Sequence, residues 1–352
     1  EEGEPVDCQT QTVQRAIDAL PRHRLSHLPT PLQLCTRLTT VLNGPRIWVK
    51  RDDMTGLALG GNKTRYLEFT LAEATAQGYD AVVLSAVVQS NHCRQTAAAG
   101  ARLGLDVILV LSGDKGVIVL REDDSTMGRS HPAQGNYLLD RLYGIDIRVA
   151  SPADINETIE QEKQRLNNAG HKTFTGLSDL LSRVAYIQCA LEIERQCQTE
   201  SIAPGHLVIG SGGNSLAGLL AGFALLGRPL RLLGTPQSKM SQATGISEQI
   251  ARQAEQAAAH IGLTCSADPA LIKVTDEYVG RGFGHPEQRT LDAIRLLARH
   301  EGILVDPTYS GKAFACLVDQ LRQGRFSNSE DIIFVHTGGT PLLFAYGEEL
   351  LV

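Results

Sequence analysis

Short apolar runs alternate with longer helical patterns along most of this chain, and that alternation restricts its possible folds more than any other feature. Predicted strands lie at 47–50, 81–85, 107–111, 207–209, 230–233 and 331–335. Predicted helices lie at 64–77, 91–103, 152–168, 184–198, 216–226, 288–300 and 312–322, and in an Ala- and Gln-rich run that ends near His260. Such alternation builds mostly parallel sheets with helices on both faces, so the predicted fold class is α/β.

The composition is that of an ordinary globular protein. Hydrophobic residues make up 42% and charged residues 20% of 352 residues, a length that favours about two domains. A formal net charge of −6 without a basic run argues against nucleic-acid and membrane-surface partners. No apolar stretch approaches the roughly 18 residues that span a bilayer.

The N-terminus and the cysteines bear on the compartment. Glu1-Glu2-Gly3-Glu4 is acidic and does not resemble a signal peptide, which favours the cytoplasm and is compatible with an organellar transit peptide already removed. Seven widely spaced cysteines favour free thiols in a reducing compartment over a disulfide framework or a metal site.

The first candidate loop is Gly60-Gly61-Asn62-Lys63-Thr64, which follows a predicted strand. Ligands bind at the carboxyl ends of parallel strands, and paired glycines let the backbone turn closely beside a ligand. Lys63 opens a helix, where the positive dipole end lowers the pKa of an amine, as a Schiff-base lysine requires. The simpler interpretation is a surface lysine after a turn. A nucleotide-binding P-loop fits poorly, because Asn62 separates Gly61 from Lys63.

A second glycine-rich loop, residues 210–215, lies between a predicted strand and a predicted helix. Glycine amides, small hydroxyls and a helix N-terminus would converge there on an anion. The loop lacks the dinucleotide fingerprint, because Ser215 occupies the last glycine's position and no acidic residue follows about 20 residues later. A single phosphomonoester fits best, held by Ser211, Gly212, Gly213, Asn214 and Ser215.

Three further polar positions complete the pattern. Ser90 and Asn91 follow a predicted strand and could bind a carboxylate or a cofactor oxygen, although both residue types are also favoured helix N-caps. Thr337 offers a neutral hydroxyl after another strand, and Tyr309 offers a phenol for proton transfer or packs in the core. A helix-start lysine together with a phosphate cup that lacks a nucleotide signature predicts pyridoxal 5'-phosphate (PLP).

The same loops give the chain a family resemblance. Gly-Gly-Asn-Lys-Thr-Arg-x-Leu-Glu (60–68), Gln-Ser-Asn-His-x-Arg-Gln-Thr-Ala-Ala (89–98), Asp-Pro-x-Tyr-Ser-Gly-Lys-Ala (306–313) and His-Thr-Gly-Gly (336–339) occur in this order in D-cysteine desulfhydrases. With the 1-aminocyclopropane-1-carboxylate (ACC) deaminases, these are fold-type II PLP enzymes related to the tryptophan synthase β subunit. The resemblance runs from about Leu28 to Tyr346.

The resemblance implies both an architecture and residue roles. It implies two domains, each a mostly parallel twisted sheet flanked by helices: a large PLP-binding domain of 1–64 and 176–352 and an inserted small domain of 65–175. A homodimer is also implied. Lys63 would carry PLP, Asn91 would contact the ring oxygen, residues 210–215 would hold the phosphate and Thr337 would face the pyridine nitrogen. The implied catalytic residues are Lys63, Ser90 and Tyr309, and the implied substrate-binding residues are Ser90, Asn91, His92, Phe283 and Tyr309.

The implied activity is β-elimination from a 3-substituted alanine, with D-cysteine as the preferred substrate and pyruvate, ammonia and hydrogen sulfide as products. His92 and Ser310 stand where ACC deaminases carry Gln and Glu, which favours the desulfhydrases. Phe283 replaces the Tyr of the usual Gly-Tyr-Gly, so an L-cysteate sulfo-lyase or an ACC deaminase-like enzyme stays an alternative. A β-replacement synthase and a non-enzymatic anion-binding protein stay open as well. The polar segment Gly113–Gln134 is expected to be a long connection or a mobile lid.

Overall fold

Two sheets and their flanking helices make up the computed structural model, which describes residues 8–112, 134–240, 245–282 and 284–351. The strands are β1 (Leu32–Leu34), β2 (Ile47–Arg51), β3 (Ala81–Val87), β4 (Asp106–Ser112), β5 (Asp146–Ala150), β6 (Thr173–Thr175), β7 (Pro204–Ile209), β8 (Arg231–Gly234), β9 (Ile272–Val274) and β10 (Asp331–His336). The helices are α1 (Cys8–Asp18), α2 (Thr36–Leu42), α3 (Asn62–Ala76), α4 (Asn91–Leu103), α5 (Gly135–Leu142), α6 (Ile155–Asn168), α7 (Asp179–Glu200), α8 (Asn214–Leu225), α9 (Ile246–His260), α10 (Gln288–Glu301), α11 (Ser310–Arg322) and α12 (Gly347–Leu351). Within the described ranges, none of these helices has both the length and the apolar composition needed to cross a bilayer.

The order of the strands confirms the predicted α/β class. One sheet has the order β1-β2-β10-β7-β8-β9, in which only the β1–β2 pair is antiparallel. The other has the order β5-β4-β3-β6, and all its pairs are parallel. The carboxyl ends of the parallel strands therefore meet along one edge of each sheet, where ligands bind in such folds.

Strand β10 shows why the larger sheet forms where it does. All six of its residues are buried, and it pairs in parallel with β2 on one side and β7 on the other. A continuous apolar run such as Ile332–Val335 is typical of a parallel strand covered by helices on both faces. This central position brings the loops after β2, β7 and β10 side by side.

Helix α3 packs against two hydrophobic cores, one beside each sheet. Tyr66 and Phe69 belong to the core that includes residues of α7 and α8, whereas Leu67 and Leu71 belong to the core around β3 and β4. Its apolar residues therefore do not form a single stripe, because the helix is covered on opposite sides. The first residues of α3 are thereby fixed between the two sheets.

The predicted helices and strands are found, with shifted ends. Helix α6 begins at Ile155, not at Pro152 as predicted, because Ser151 and Asp154 close a turn first: Ser151 Oγ donates to Asp154 Oδ2 at 2.6 Å. Helix α7 begins at Asp179, five residues before the predicted start, because the Ser178 hydroxyl caps it. Among the elements that the sequence did not predict are α1, α5 and β5. The predicted lid, Gly113–Gln134, lies outside the described residues except for Gln134.

A buried cluster of four charges joins β2, α3 and α7. Arg65 Nη2 lies 2.7 Å from Asp52 Oδ1, Arg65 Nη1 lies 2.8 Å from Glu192 Oε1, and Lys50 Nζ lies 2.8 Å from Glu192 Oε2. None of the four side chains is more than 4% exposed. Burial alone would raise the pKa of Glu192, but Arg65 and Lys50 outweigh it and lower that pKa to about 2. Two positive and two negative charges thus compensate one another.

We expect Glu192→Gln to lower the free energy of unfolding by about 3–5 kcal/mol, because it leaves two buried cations with one carboxylate. Urea denaturation of this variant and of the control Glu157→Gln, an exposed position on α6, measures the difference. The folded-state pKa of Glu192 lies below its unfolded value. The wild-type advantage is therefore complete above about pH 4.5 and is lost as the pH falls towards 2. If Glu192→Gln and Glu157→Gln had equal free energies of unfolding at pH 7, Glu192 would not be the charged partner of Arg65 and Lys50.

Candidate active site

The loops after β2, β3, β7 and β10 enclose a cavity of about 400 Å³, within the range of roughly 300–1,000 Å³ that is usual for small-molecule sites. The cavity brings together the following residues predicted as site residues: Lys63, Ser90, Asn91, His92, Ser211, Gly212, Gly213, Asn214, Ser215, Tyr309 and Thr337. Phe283, also predicted, lies outside the described residues. The lining residues that sequence analysis missed are Asn62, Tyr66, Gln237, Met240 and Gly338.

Two glycines allow the Lys63 loop to approach the loop after β10. Gly61 has φ +128° and Gly338 has φ +102°, and a Cβ atom on Gly338 would lie 2.6 Å from Gly61 Cα. The backbone N–H of Asn62 donates to Thr337 O at 2.9 Å. A side chain at Gly338 would push the two loops apart, and one at Gly61 would meet Gln95 Nε2 at 2.6 Å. Both glycines are therefore needed for the backbone path that holds Lys63 beside Thr337.

Lys63 has the electrostatic character that the sequence predicted, but the main cause differs. Burial lowers its pKa to about 8, and the negative charge of Asp179 opposes that shift. The sequence predicts this shift from the helix dipole, whereas desolvation is the largest cause in the folded protein. Lys63 Nζ also lies 4.6 Å from the centroid of the Tyr66 ring. A substantial fraction of the amine is therefore neutral, and hence nucleophilic, at mildly alkaline pH.

Ser90 both caps α4 and lines the cavity. Its hydroxyl oxygen accepts from the backbone N–H groups of His92 (3.1 Å) and Cys93 (3.3 Å), which is the N-cap arrangement. Accepting these bonds leaves the hydroxyl proton available to donate. Burial, and secondarily Lys63, lowers the pKa of His92 to about 3, so its imidazole is neutral. His92 Nε2 is buried and has no hydrogen-bond partner among the described residues, so it is available to a ligand.

The 210–215 loop offers backbone donors to an anion. A Cβ on Gly213 would meet nothing within 4 Å, and the first N–H groups of α8 have no acceptor one turn earlier. The Asn214 side chain faces α7, donating to Asp179 Oδ1 at 2.6 Å and accepting from Arg183 Nε at 3.0 Å. Asn214 therefore offers the anion its backbone N–H.

Tyr66 connects the lysine to the anion loop, and sequence analysis overlooked it. Its hydroxyl is hydrogen-bonded to Ser215 Oγ and accepts from Asn62 Nδ2 at 3.3 Å. Its position three residues after Lys63 was the available signal, because such residues share one face of a helix.

Tyr309 is held at the cavity by a buried carboxylate. Asp306 accepts the backbone N–H groups of Thr308, Tyr309 and Ser310 at 2.8, 2.7 and 2.9 Å. Burial raises the pKa of Tyr309, with Asp306 adding to the shift, so the phenol keeps its proton. The site thus combines a weakly basic lysine, a neutral imidazole and a protonated phenol.

Comparison with known proteins decides the family. The family described as "Pyridoxal-phosphate dependent enzyme" matches residues 24–338. This chain belongs to the pyridoxal-phosphate dependent enzymes. The expected family and cofactor are thereby confirmed.

Individual members are similar over nearly the whole chain. A D-cysteine desulfhydrase of Salmonella newport is 37% identical over 335 residues, which cover 94% of this chain and 97% of that protein. A crystal structure described as an ACC deaminase homologue has a TM-score of 0.80 at 30% identity and covers 96% of this chain and 98% of its own. A threonine deaminase of T.th., with a TM-score of 0.61, 19% identity and coverage of 95% and 98%, shares the fold. The expected fold type II class is confirmed.

The residues present fit PLP. The space beside Gly213 is open, and Lys63 has a lowered pKa. His92 Nε2, which has no hydrogen-bond partner among the described residues, is a buried polar atom that a ligand would satisfy. No cluster of three or more His, Cys, Asp or Glu side chains in the described part of the chain could hold a metal ion. The cavity therefore matches an organic phosphate held beside an amine.

We expect Lys63 in the PLP-free protein to react with an amine-acylating reagent with a midpoint near pH 8, because its neutral form predominates above its pKa. Pulse labelling followed by peptide mass spectrometry measures this midpoint. Asp179→Asn is the matched variant: it removes the charge that raises the pKa, so the midpoint should fall. A Lys63 midpoint above pH 10 would contradict the desolvated environment.

Proposed function

We propose that this protein is a PLP-dependent carbon–sulfur lyase that converts D-cysteine and water to pyruvate, ammonia and hydrogen sulfide. The observation that carries the proposal is the desolvated amine of Lys63, which shares one cavity with the glycine-lined loop 210–215. The 37% identity to a D-cysteine desulfhydrase supports the choice of substrate. His92 and Ser310, which stand where ACC deaminases carry other residues, support the same choice.

The chain's own residues would hold the cofactor at both ends. Lys63 Nζ would bind it covalently, and the N–H groups of 210–215 would bind its phosphate. Asn91 would face the ring oxygen and Thr337 the pyridine nitrogen. When bound, PLP stores the electron pair left by the departing α-proton. A neutral Thr337, unlike a carboxylate, would leave the ring nitrogen unprotonated, which favours prompt loss of the β-substituent.

The side chains around the substrate would then move one proton and hold the reacting groups. The Lys63 amine, with its pKa near 8, would take the α-proton. The Ser90 hydroxyl would donate a hydrogen bond to the substrate carboxylate. The phenol of Tyr309, which keeps its proton, would donate a hydrogen bond to the departing sulfur, and His92 Nε2 would contact the substrate. Phe283 is a further substrate-contact candidate by family resemblance.

We also propose that the chain has two domains, forms a homodimer and functions in a reducing compartment. All strands of the six-stranded sheet come from 1–64 and 176–352, and all strands of the four-stranded sheet from 65–175, which supports a large PLP-binding domain and a small inserted domain. Family resemblance supports a homodimer. The seven cysteines are free thiols, which supports a reducing compartment such as the cytoplasm.

We expect the PLP-loaded protein to release pyruvate and sulfide from D-cysteine and to act far more slowly on L-cysteine, L-cysteate and ACC. Coupled pyruvate and sulfide assays measure the first three reactions, and 2-oxobutyrate formation measures the last. Lys63→Ala should be inactive, whereas Lys172→Ala, a position outside the cavity, should match the wild type. If sulfite release from L-cysteate were the fastest reaction, L-cysteate and not D-cysteine would be the substrate. Consumption of an added thiol would indicate a β-replacement synthase.

A further inference from the structure

Asn91, the first residue of α4, has its side-chain oxygen fully engaged outside the cavity. Asn91 Oδ1 accepts from Asn136 Nδ2 at 3.0 Å and from Arg94 Nη2 at 3.4 Å. Asn91 also lines the cavity, and its Nδ2 donates to no residue in the described ranges. The two ends of this one amide therefore have different environments.

The orientation of the amide follows from partners whose chemistry is unambiguous. Asn136 has a donor on one side, Arg94 Nε at 2.7 Å, and an acceptor on the other, the backbone carbonyl of Gln89 at 2.8 Å. An arginine nitrogen only donates and a carbonyl oxygen only accepts. Asn136 Nδ2 must therefore lie towards Gln89 O, from where it also reaches Asn91. With both neighbours acting as donors, the atom of Asn91 facing them must be Oδ1.

Arg94 and Asn136 are themselves fixed by burial. Both side chains are fully buried. Arg94 also donates to Gly60 O at 3.1 Å and to Ala58 O, so its guanidinium joins α4 to the segment that leads to Lys63. The backbone N–H of Asn136 donates to Gln89 Oε1 at 2.8 Å. A reversed Asn91 amide would oppose its NH₂ group to these buried donors, leaving them unsatisfied, which is costly.

We propose that Arg94 and Asn136 are positioning residues that turn the Asn91 amide so that its Nδ2–H group, and not its oxygen, faces the cofactor. This rests on the proposed function, in which Asn91 faces the ring oxygen of PLP. That oxygen is anionic when PLP is bound through an amine, so a donor attracts it and a carbonyl oxygen would repel it. Hydrogen bonds to charged groups are among the stronger ones in proteins, so their loss is measurable as affinity.

The test is a double-mutant cycle read out as the dissociation constant for PLP, measured by visible absorbance on the full-length protein. Asn91→Ala and Asn136→Ala should each weaken binding by roughly 10–100-fold, the range expected for a hydrogen bond to a charged acceptor. Because Asn136 acts through Asn91, the double variant should bind within about twofold of Asn91→Ala alone. The proposal would be overturned if the loss of PLP affinity in the double variant equalled the product of the two single losses. It would also be overturned if Asn136→Ala bound PLP as tightly as the wild type.

Two further variants separate positioning from loss of folding. Asn91→Asp keeps the shape but presents an oxygen to the cavity, so we expect it to bind PLP more weakly than Asn91→Ala; binding as tight as that of the wild type would refute the donor assignment. Arg94→Lys should weaken PLP binding, whereas Arg102→Lys, exposed on the same helix, should not. Thermal unfolding of each PLP-free variant identifies any that fail to fold. Failure of the proposed function would differ from all of these, because the wild type and its variants would keep this pattern of PLP affinities while D-cysteine released no sulfide.

Discussion

The ion pairs that Arg65 makes with Asp52 and Glu192 are the interaction on which the rest of the site depends. They tie α3 to the end of β2 and to α7, and Lys63 lies only two residues before Arg65 on the same helix. A buried, compensated cluster is a weak source of net stability, but it disfavours other placements of its charges. The start of α3 is thus held in one position. The stability of the whole fold offsets the free-energy cost of desolvating the Lys63 amine.

A second buried arginine, Arg94, serves the opposite wall of the cavity. Arg65 fixes α3 from the side of the larger sheet, whereas Arg94 joins α4 to the carbonyls of Ala58 and Gly60. The lysine loop is therefore held from both sheets at once, and the cavity lies between them. This arrangement explains why polar groups with ordinary structural duties, such as the Ser90 cap and the Asn91 amide, also face a ligand.

Local chemistry made much of this predictable from the sequence. The glycines of 60–61 and 210–213, the helix-start Lys63 and the alternation of strands and helices are short-range signals, and they predicted the fold and most of the cavity lining. Tyr66 and Asn136 were missed because their importance arises from contacts between distant segments. The pKa of Lys63 was expected to fall, but its main cause, burial, is a property of the folded chain. Phe283 stays a prediction.

Borohydride reduction of the purified, PLP-loaded protein, followed by mass spectrometry of its peptides, tests most directly whether Lys63 binds the cofactor. We expect a visible absorbance band to disappear on reduction and one peptide to gain the mass of a reduced pyridoxyl phosphate group at Lys63. A protein that remains colourless after PLP is added, or one whose label lies on a lysine outside the cavity, would refute the role of Lys63.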